Sequence, residues 1–463
     1  MSTDTGTGSN TFDVIVIGLG PGGEDVAGRL AQAGLSVLGV DRRLVGGECP
    51  YWGCVPSKMM IRAADSLAEA RRVASLSGTV SEVVPDWSIV ARRVREEATD
   101  DWNDEVAVDR LVGKGVTFVR GTGKISGPGR VDVDGVAYVA RRAIVVNTGT
   151  APSIPPVDGL SSVPYWTNHE LIEAKELPGS VVLLGGGAIG SELSQVMARF
   201  GVDVTVVEAA QGLIAVEEPE AGDILKGVFE ADGITVHVGV GAEHVEADGD
   251  GVAVTLADGT VVRAERLVVA TGRRADPAAV GLDTVGVARD APLAPVDDRC
   301  RVTGGTHGFW AIGDITGKGA FTHISMYQAA IVARDILGKE GPAADYDALP
   351  RVTFTDPEVG AVGLTEKQAR ERYDNVQVGL TPLAETTRGW IHAQGNEGFI
   401  KVVADADRGV LVGATTMGPS GGEMMGALAV AIHAKVPITT LTSMIYAYPT
   451  FHRGIEDALH RLA

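Results

Sequence analysis

Phe12–Gly18 (FDVIVIG) is apolar almost throughout and runs directly into Gly20, Gly22 and Gly23. A short continuous apolar run bounded by turn residues predicts a strand. A helical pattern follows to Ala33, and Gly34 stands where a helix stops. A second strand, Ser36–Val40, ends at Asp41. The same succession returns later in the chain. Ser180–Leu184 leads into Gly185, Gly186, Gly187 and Gly190, then a helix to about Phe200, a stop at Gly201, and a strand Asp203–Val207 ending at Glu208. Each unit continues into a hairpin, turning at Asp134-Gly135 in the first and at Asp258-Gly259 in the second. Each then closes a last strand on a Thr-Gly pair, Asn147-Thr148-Gly149 and Ala270-Thr271-Gly272. The repeat is of a whole domain, not of a short solenoid period.

Between and beyond the units the pattern changes. Pro152, Pro155 and Pro156 mark a linker after Gly149, and Gly341-Pro342 marks a second boundary. Asp65–Asp109 is mainly helical with an exposed charged face. Val352–Leu364, Gly398–Val403 and Gly409–Met417 read as strands, and Gly421–Ala434 and Ile455–Leu462 as helices. That mixture predicts an α+β C-terminal domain.

Composition bounds the reading. A chain of 463 residues, 45% hydrophobic, holds several domains with packed cores. A formal charge of −20 favours solubility and argues against a nucleic-acid or anionic-membrane surface, a local basic patch aside. Met1–Asn10 is Ser/Thr/Gly-rich, reads as a disordered tail, and lacks the features of a signal peptide. No apolar run approaches the ~20 residues that span a bilayer. The expectation is a soluble, cytoplasmic protein. Its 3 cysteines are too few for a disulfide scaffold.

The glycine turns and acids carry chemistry. A turn at a helix N-terminus lets backbone N–H groups approach a pyrophosphate, and an acid ending the next strand hydrogen-bonds a ribose. Gly18, Gly20, Gly23 and Asp41 form one such set; Gly185, Gly187, Gly190 and Glu208 form the other. The plain alternative is a tight αβ turn. Glu208 accepts from a free 2′-hydroxyl and repels a 2′-phosphate, and Ala209-Ala210-Gln211-Gly212 offers no arginine. NADH is therefore expected over NADPH.

Cys49 and Cys54 stand five residues apart in Gly46-Gly47-Glu48-Cys49-Pro50-Tyr51-Trp52-Gly53-Cys54-Val55-Pro56-Ser57-Lys58. In a regular helix that spacing is about 7.5 Å of rise, too far for a disulfide, so a distorted loop entering a helix is required if they pair. Pro56 suits a first helical turn. A helix N-terminus and nearby Lys58 favour a thiolate. Two inert cysteines, or half a metal site, are the alternatives, although no Cys/His cluster completes a zinc site and none is expected. Cys300, in the polar segment Asp297–Arg301, reads as a spectator.

The Gly46–Lys58 block resembles the GGxCxxxxCVPSK motif of the class I pyridine nucleotide–disulfide oxidoreductases, the family of dihydrolipoamide dehydrogenase, glutathione reductase and mercuric reductase. Ala311-Ile312-Gly313-Asp314 resembles its flavin-binding GD motif, and Ala270–Arg274 its ATGRxP turn. The likeness runs from Asp13 to the C-terminus. It implies an α/β fold with two Rossmann-like dinucleotide-binding domains and a C-terminal α+β dimerisation domain. Residues 11–150 and 280–345 would bind FAD, 151–279 would bind NAD, and 346–463 would form a homodimer. Gly18, Gly20, Gly23, Asp41, Gly47, Thr148, Gly149, Gly313 and Asp314 would hold FAD. Gly185, Gly187, Gly190, Glu208 and Gly272 would hold the nicotinamide nucleotide. Electrons would pass from NADH through FAD to the Cys49–Cys54 disulfide and on to a small-molecule acceptor. Cys49 would be the interchange thiol and Cys54 the thiolate against the flavin. Lys58 and Glu192 match the ion pair at the flavin N5 edge; outside the resemblance, Glu192 reads as an ordinary helix-surface acid.

The family's C-terminal His-Pro-Thr-x-x-Glu segment, whose His serves as acid/base in the partner chain, is replaced by Tyr448-Pro449-Thr450-Phe451-His452-Arg453. Tyr448 takes the His slot, Arg453 the Glu slot, and His452 is one residue displaced. Tyr448 and His452 are the candidates for proton transfer. Tyr in that slot is a feature of mercuric reductase, but the C-terminal cysteine pair of that enzyme is not matched by His460-Arg461-Leu462-Ala463. Ketopropyl coenzyme M oxidoreductase/carboxylase shows that losing the dyad accompanies changed chemistry. Trp52 adds bulk beside the thiols. A disulfide, thiol-bound or electrophilic acceptor leads; a quinone/oxygen reductase with secondary cysteines, a mercuric reductase-like metal reductase and a non-catalytic flavin scaffold are the alternatives.

Overall fold

The computed structural model describes residues 10–463, so the expected tail lies almost wholly outside the described residues. The chain forms two compact units. One gathers residues 10–56, 95–153 and 273–345, and the other residues 57–94, 154–272 and 346–463.

The first unit is built on parallel strands. Val116–Arg120, Val37–Asp41, Thr11–Ile17 and Val136–Val146 lie side by side, with Phe309–Ala311 added in parallel beyond Val136–Val146. Gly123–Gly127 and Arg130–Val133 join Val136–Val146 as an antiparallel arm. The apolar run explains itself here. Val14 and Val16 enter one buried cluster while Ile15 and Ile17 enter another, so both faces are covered. Each such side chain contributes roughly 1.5–3 kcal/mol on burial. The helix Pro21–Gln32 starts with proline at its first position and ends at Ala33 and Gly34, whose φ of +91° suits a left-handed stop.

The second unit repeats that plan. Thr235–Val238, Asp203–Glu208, Ser180–Leu184 and Arg266–Val269 form a parallel sheet in the same order. The antiparallel strands Ala242–Asp248, Gly251–Leu256 and Val261–Ala264 cover one face, with Val252, Val254 and Leu256 packed against Val182, Leu184 and Val207. Both hairpins turn where the sequence places them, with φ of +48° at Asp134, +89° at Gly135 and +87° at Gly259.

The repeat extends to single atoms. Gly18 N–H donates to Val40 O at 2.8 Å, and Gly185 N–H to Val207 O at 2.8 Å. A Cβ on Gly23 would lie 2.0 Å from Gly18 O, and one on Gly190 would lie 1.9 Å from Gly185 O. These glycines let each helix start directly against its own turn.

The C-terminal part of the second unit is a five-stranded antiparallel sheet in the order Pro350–Thr353, Glu358–Gly363, Val410–Gly418, Phe399–Asp405 and Val376–Pro382. The helix Gly421–His433 packs on it through Met424, Met425 and Leu428. The expected single strand Val352–Leu364 is two strands paired antiparallel, because the chain reverses over residues 354–357. The segment Asp65–Asp109, expected to be mainly helical, is crossed by three α-helices, Cys54–Leu76, Trp87–Arg93 and Glu105–Gly113. No described helix is long and apolar enough to cross a membrane.

The two kinds of glycine separate experimentally. Gly190→Ala forces Cβ against Gly185 O and is expected to cost about 1–3 kcal/mol, read as a fall in Tm. Gly187→Ala meets nothing within 4 Å, so Tm should hold.

Candidate active site

The cysteine segment is fastened to the first glycine turn. Gly46 N–H donates to Leu19 O at 2.8 Å, and a Cβ on Gly47, whose φ is +67°, would stand 2.9 Å from Gly20 Cα. The backbone then makes one short helix, Glu48–Tyr51, breaks at Trp52-Gly53, and starts the long helix Cys54–Leu76. That break brings residues five apart together: the two thiols hydrogen-bond each other. The cysteines are reduced here. The contact with Cys54, more than burial, pushes the Cys49 thiol up, because two neighbouring sulfurs cannot both hold a charge. Cys54 sits at the N-terminus of the helix, where the backbone dipole favours a thiolate. Its sulfur lies 3.5 Å from Thr322 Oγ1, and Thr322 opens another helix, Thr322–Ile336. Sequence reading missed Thr322, since 268 residues separate it from Cys54. Trp52 is half-buried, its ring 5.9 Å from that of Tyr51. Cys300 is wholly buried in the apolar core.

The residues expected to hold nucleotides fit that purpose. Asp41 accepts from Leu19 N at 2.7 Å and from Arg43 N at 2.8 Å. Glu208 repeats the arrangement, accepting from Gly186 N and Ala210 N at 2.6 Å each. A carboxylate offers about four acceptor sites, so each acid retains capacity for ribose hydroxyls. Burial pushes the Asp41 carboxyl up, which a hydroxyl donor would offset. Gly18 is held at φ +89° with a Cβ position 2.4 Å from Asn147 O, so only glycine leaves room at this turn. Thr148 and Gly149 follow directly, Gly149 at φ +63°. Gly313 donates its N–H to Gln328 Oε1 at 2.6 Å, and Asp314 accepts from Thr150 Oγ1 at 2.9 Å. Burial pushes Asp314 up as well. Gly272, at φ +127°, ends the second repeat.

In the second unit, Lys58 Nζ lies 2.8 Å from Glu192 Oε2. Glu192 is not a surface acid: it is 5% exposed. Its other oxygen accepts the Phe354 N–H at 2.8 Å, and the Lys58 ammonium stands 4.6 Å from the Phe354 ring centroid. The helix Ala188–Arg199 meets the turn at residues 354–357 through Glu192, Gln195 and Arg199.

Tyr448 is 67% exposed, with its hydroxyl 3.5 Å from Thr387 Oγ1. The Arg453 guanidinium stacks 5.8 Å from its ring centroid. Both line a polar cavity of about 460 Å³ together with Glu385, Asp457 and Arg461. His452 does not line it; the imidazole packs against Tyr446 at 4.9 Å. Among the described residues, Glu218, Glu220 and Glu366 are close enough to share a metal ion, but the Lys401 ammonium occupies their centre at 2.7–2.9 Å.

Comparison with known proteins agrees with this geometry. Residues 12–331 match the pyridine nucleotide-disulphide oxidoreductase family, and residues 349–459 match its dimerisation domain. The dihydrolipoyl dehydrogenase of Chlorobaculum tepidum is 33% identical over 459 residues, covering 96% of each chain. The Cu(II) complex of the HOCl-induced flavoprotein disulfide reductase RclA from Escherichia coli superposes with a TM-score of 0.84 at 26% identity, over 97% of this chain and 99% of that one. LpdA from Mycobacterium tuberculosis gives 0.84 at 25% identity with the same coverage. FAD and NAD(H) are the cofactors of this family. The chain belongs to the pyridine nucleotide–disulphide oxidoreductases and is an FAD-dependent NAD(P)H:disulfide-type oxidoreductase.

Proposed function

We propose that this enzyme moves an electron pair from NADH, through FAD, to a Cys49–Cys54 disulfide and on to a small disulfide, thiol-bound or electrophilic acceptor. The observation that carries the reading is the contact between the two thiols at a helix N-terminus. In this reading residues 11–150 and 280–345 hold FAD, 151–279 hold NADH, and 346–463 pair two copies. Trp390, Val430 and Ile445, at 73%, 67% and 95% exposure, supply apolar surface for that pairing.

Held by the Gly18–Gly23 turn, Asp41 and Asp314, FAD would supply a two-electron relay between the nicotinamide and the disulfide. The protein's own groups then govern the outcome. One electron pair and one proton convert the disulfide into a thiol and a thiolate. The Cys54 contact keeps the proton on Cys49, so the charge rests on Cys54 beside the Thr322 hydroxyl. Lys58, held by Glu192, would supply fixed positive charge where negative charge develops. For a disulfide acceptor, Cys49 loses its proton and attacks one sulfur, forming a mixed disulfide and releasing one thiolate. Cys54 then attacks Cys49, releasing the second and restoring the bridge. Tyr448 offers a phenol where an imidazole would be the better base for the first of these steps. That favours acceptors which need less help in deprotonating Cys49.

The RclA complex supports a second reading, a thiophilic metal ion as acceptor. A dithiol is a soft ligand pair, and two Cu(II) ions would take its electron pair, becoming two Cu(I) as the Cys49–Cys54 disulfide re-forms and the Cys49 proton leaves to solvent.

The first test is an anaerobic NADH titration followed by an acceptor panel including Cu(II), quinones and lipoamide. Cys49→Ser should leave flavin bleaching by NADH intact and abolish turnover of the true acceptor. Full turnover with that acceptor would sink the dithiol route, and full quinone turnover in a Cys49/Cys54 double variant would favour direct transfer from flavin. Cys54→Ser removes the main cause holding Cys49 up. The iodoacetamide reaction of Cys49 should then titrate at lower pH than in the reduced parent, with burial still opposing the thiolate. For the donor, kcat/KM should favour NADH over NADPH by about tenfold or more, given the Glu208 carboxylate. If the Tyr448–Arg453 pair limits exchange, Tyr448→His with Arg453→Glu should raise lipoamide turnover; no gain would assign the limit to the pocket.

A further inference from the structure

Phe354 touches both members of the Lys58–Glu192 pair, and nothing in its own chemistry requires it to. Its backbone N–H fixes Glu192 Oε1 at 2.8 Å, and its ring faces the Lys58 ammonium at 4.6 Å. The surrounding segment is pinned to the same face of the helix Ala188–Arg199. Asp356 N–H donates to Gln195 Oε1 at 2.8 Å, and the Asp356 carboxylate meets Arg199 and Arg72 at 2.7 Å each. Arg199 is itself buried, with Asp65 at 2.8 Å and Asp232 at 3.2 Å. Phe354 therefore stands on an anchored backbone. The Lys58 ammonium meets two groups of this anchored neighbourhood, the Glu192 carboxylate at 2.8 Å and the Phe354 ring at 4.6 Å.

We propose that Phe354 is a positioning residue: its ring, through a cation–π contact, confines the Lys58 ammonium to the single arrangement in which it meets Glu192. The inference rests on the role given above to the Lys58–Glu192 pair. An ammonium over an aromatic face is attracted by the ring quadrupole, and a charge already placed costs no reorganisation when the reaction needs it. The backbone bond to Glu192 survives any side-chain change at 354, so the ring's share can be isolated.

The test compares Phe354→Leu, Phe354→Tyr and Lys58→Met in the holoenzyme. Phe354→Leu should slow reduction by NADH about three- to tenfold in anaerobic stopped flow, with NADH affinity unchanged. Phe354→Tyr, which keeps the ring, should restore the parent rate. Competitive trace acetylation, read by mass spectrometry, supplies a measure independent of turnover: Lys58 labelling should rise in Phe354→Leu and stay at the parent level in Phe354→Tyr. Equal loss in the Leu and Tyr variants, or parent-like rate and labelling in Phe354→Leu while Lys58→Met is slow, would overturn the proposal and leave the pair's role standing. A parent-like rate in Lys58→Met would remove that role and the proposal with it.

Discussion

Backbone touching backbone at two glycine turns is the constraint on which this structure depends. Gly23 lies against Gly18 O and Gly190 against Gly185 O, and a methyl group at either helix position would collide with its own turn. Each contact sets the start of a helix beside the end of a strand, with free N–H groups facing outward. The acids Asp41 and Glu208 close the same turns from the neighbouring strand. In the first unit the constraint extends further. Gly47 packs on Gly20, so the dithiol segment is attached to the turn proposed to hold FAD. Redox chemistry and nucleotide binding are thereby tied through backbone atoms, which side-chain variation does not loosen.

Charge in the second unit follows a different principle. Glu192 and Arg199 are both buried on one helix, and each is fully engaged: Glu192 by Lys58 and the Phe354 amide, Arg199 by three carboxylates. Lys401 repeats the theme among Glu218, Glu220 and Glu366. Such groups are costly to bury singly and tolerable only as satisfied networks. They join the dinucleotide repeat to the C-terminal sheet, since Asp356 and Lys401 come from one and Arg199 and Glu218 from the other. An isolated repeat would expose them. The burial that makes Glu192 a fixed acid is thus a property of the assembled unit.

Much of this was legible along the chain because its causes are local. A buried parallel strand needs an apolar run, a close turn needs glycine, and a nucleotide ribose needs an acid a short distance on. Residues 12–41 and 180–208 state all three in order, and the hairpin turns at Asp134-Gly135 and Asp258-Gly259 are equally local. The reversal at residues 354–357 was hidden because apolar residues flank both sides of it, so two paired strands read as one. The break between Glu48–Tyr51 and Cys54–Leu76 was foreseen only as a requirement of the cysteine spacing.

By itself, then, the sequence determined the repeated nucleotide units, their glycines and acids, and the cysteine pair between them. These follow from short-range sterics and from the period of apolar residues. Tertiary structure alone decided that Cys54 beside it pushes the Cys49 thiol up, that Thr322 stands 3.5 Å from the Cys54 sulfur, that Glu192 is buried, and that Phe354 underlies Lys58. It also separated Tyr448, which opens on a polar cavity, from His452, which packs against Tyr446. Each of these depends on what a distant segment brings alongside, and burial and charge partners are set by that neighbour rather than by the residues adjacent in the chain.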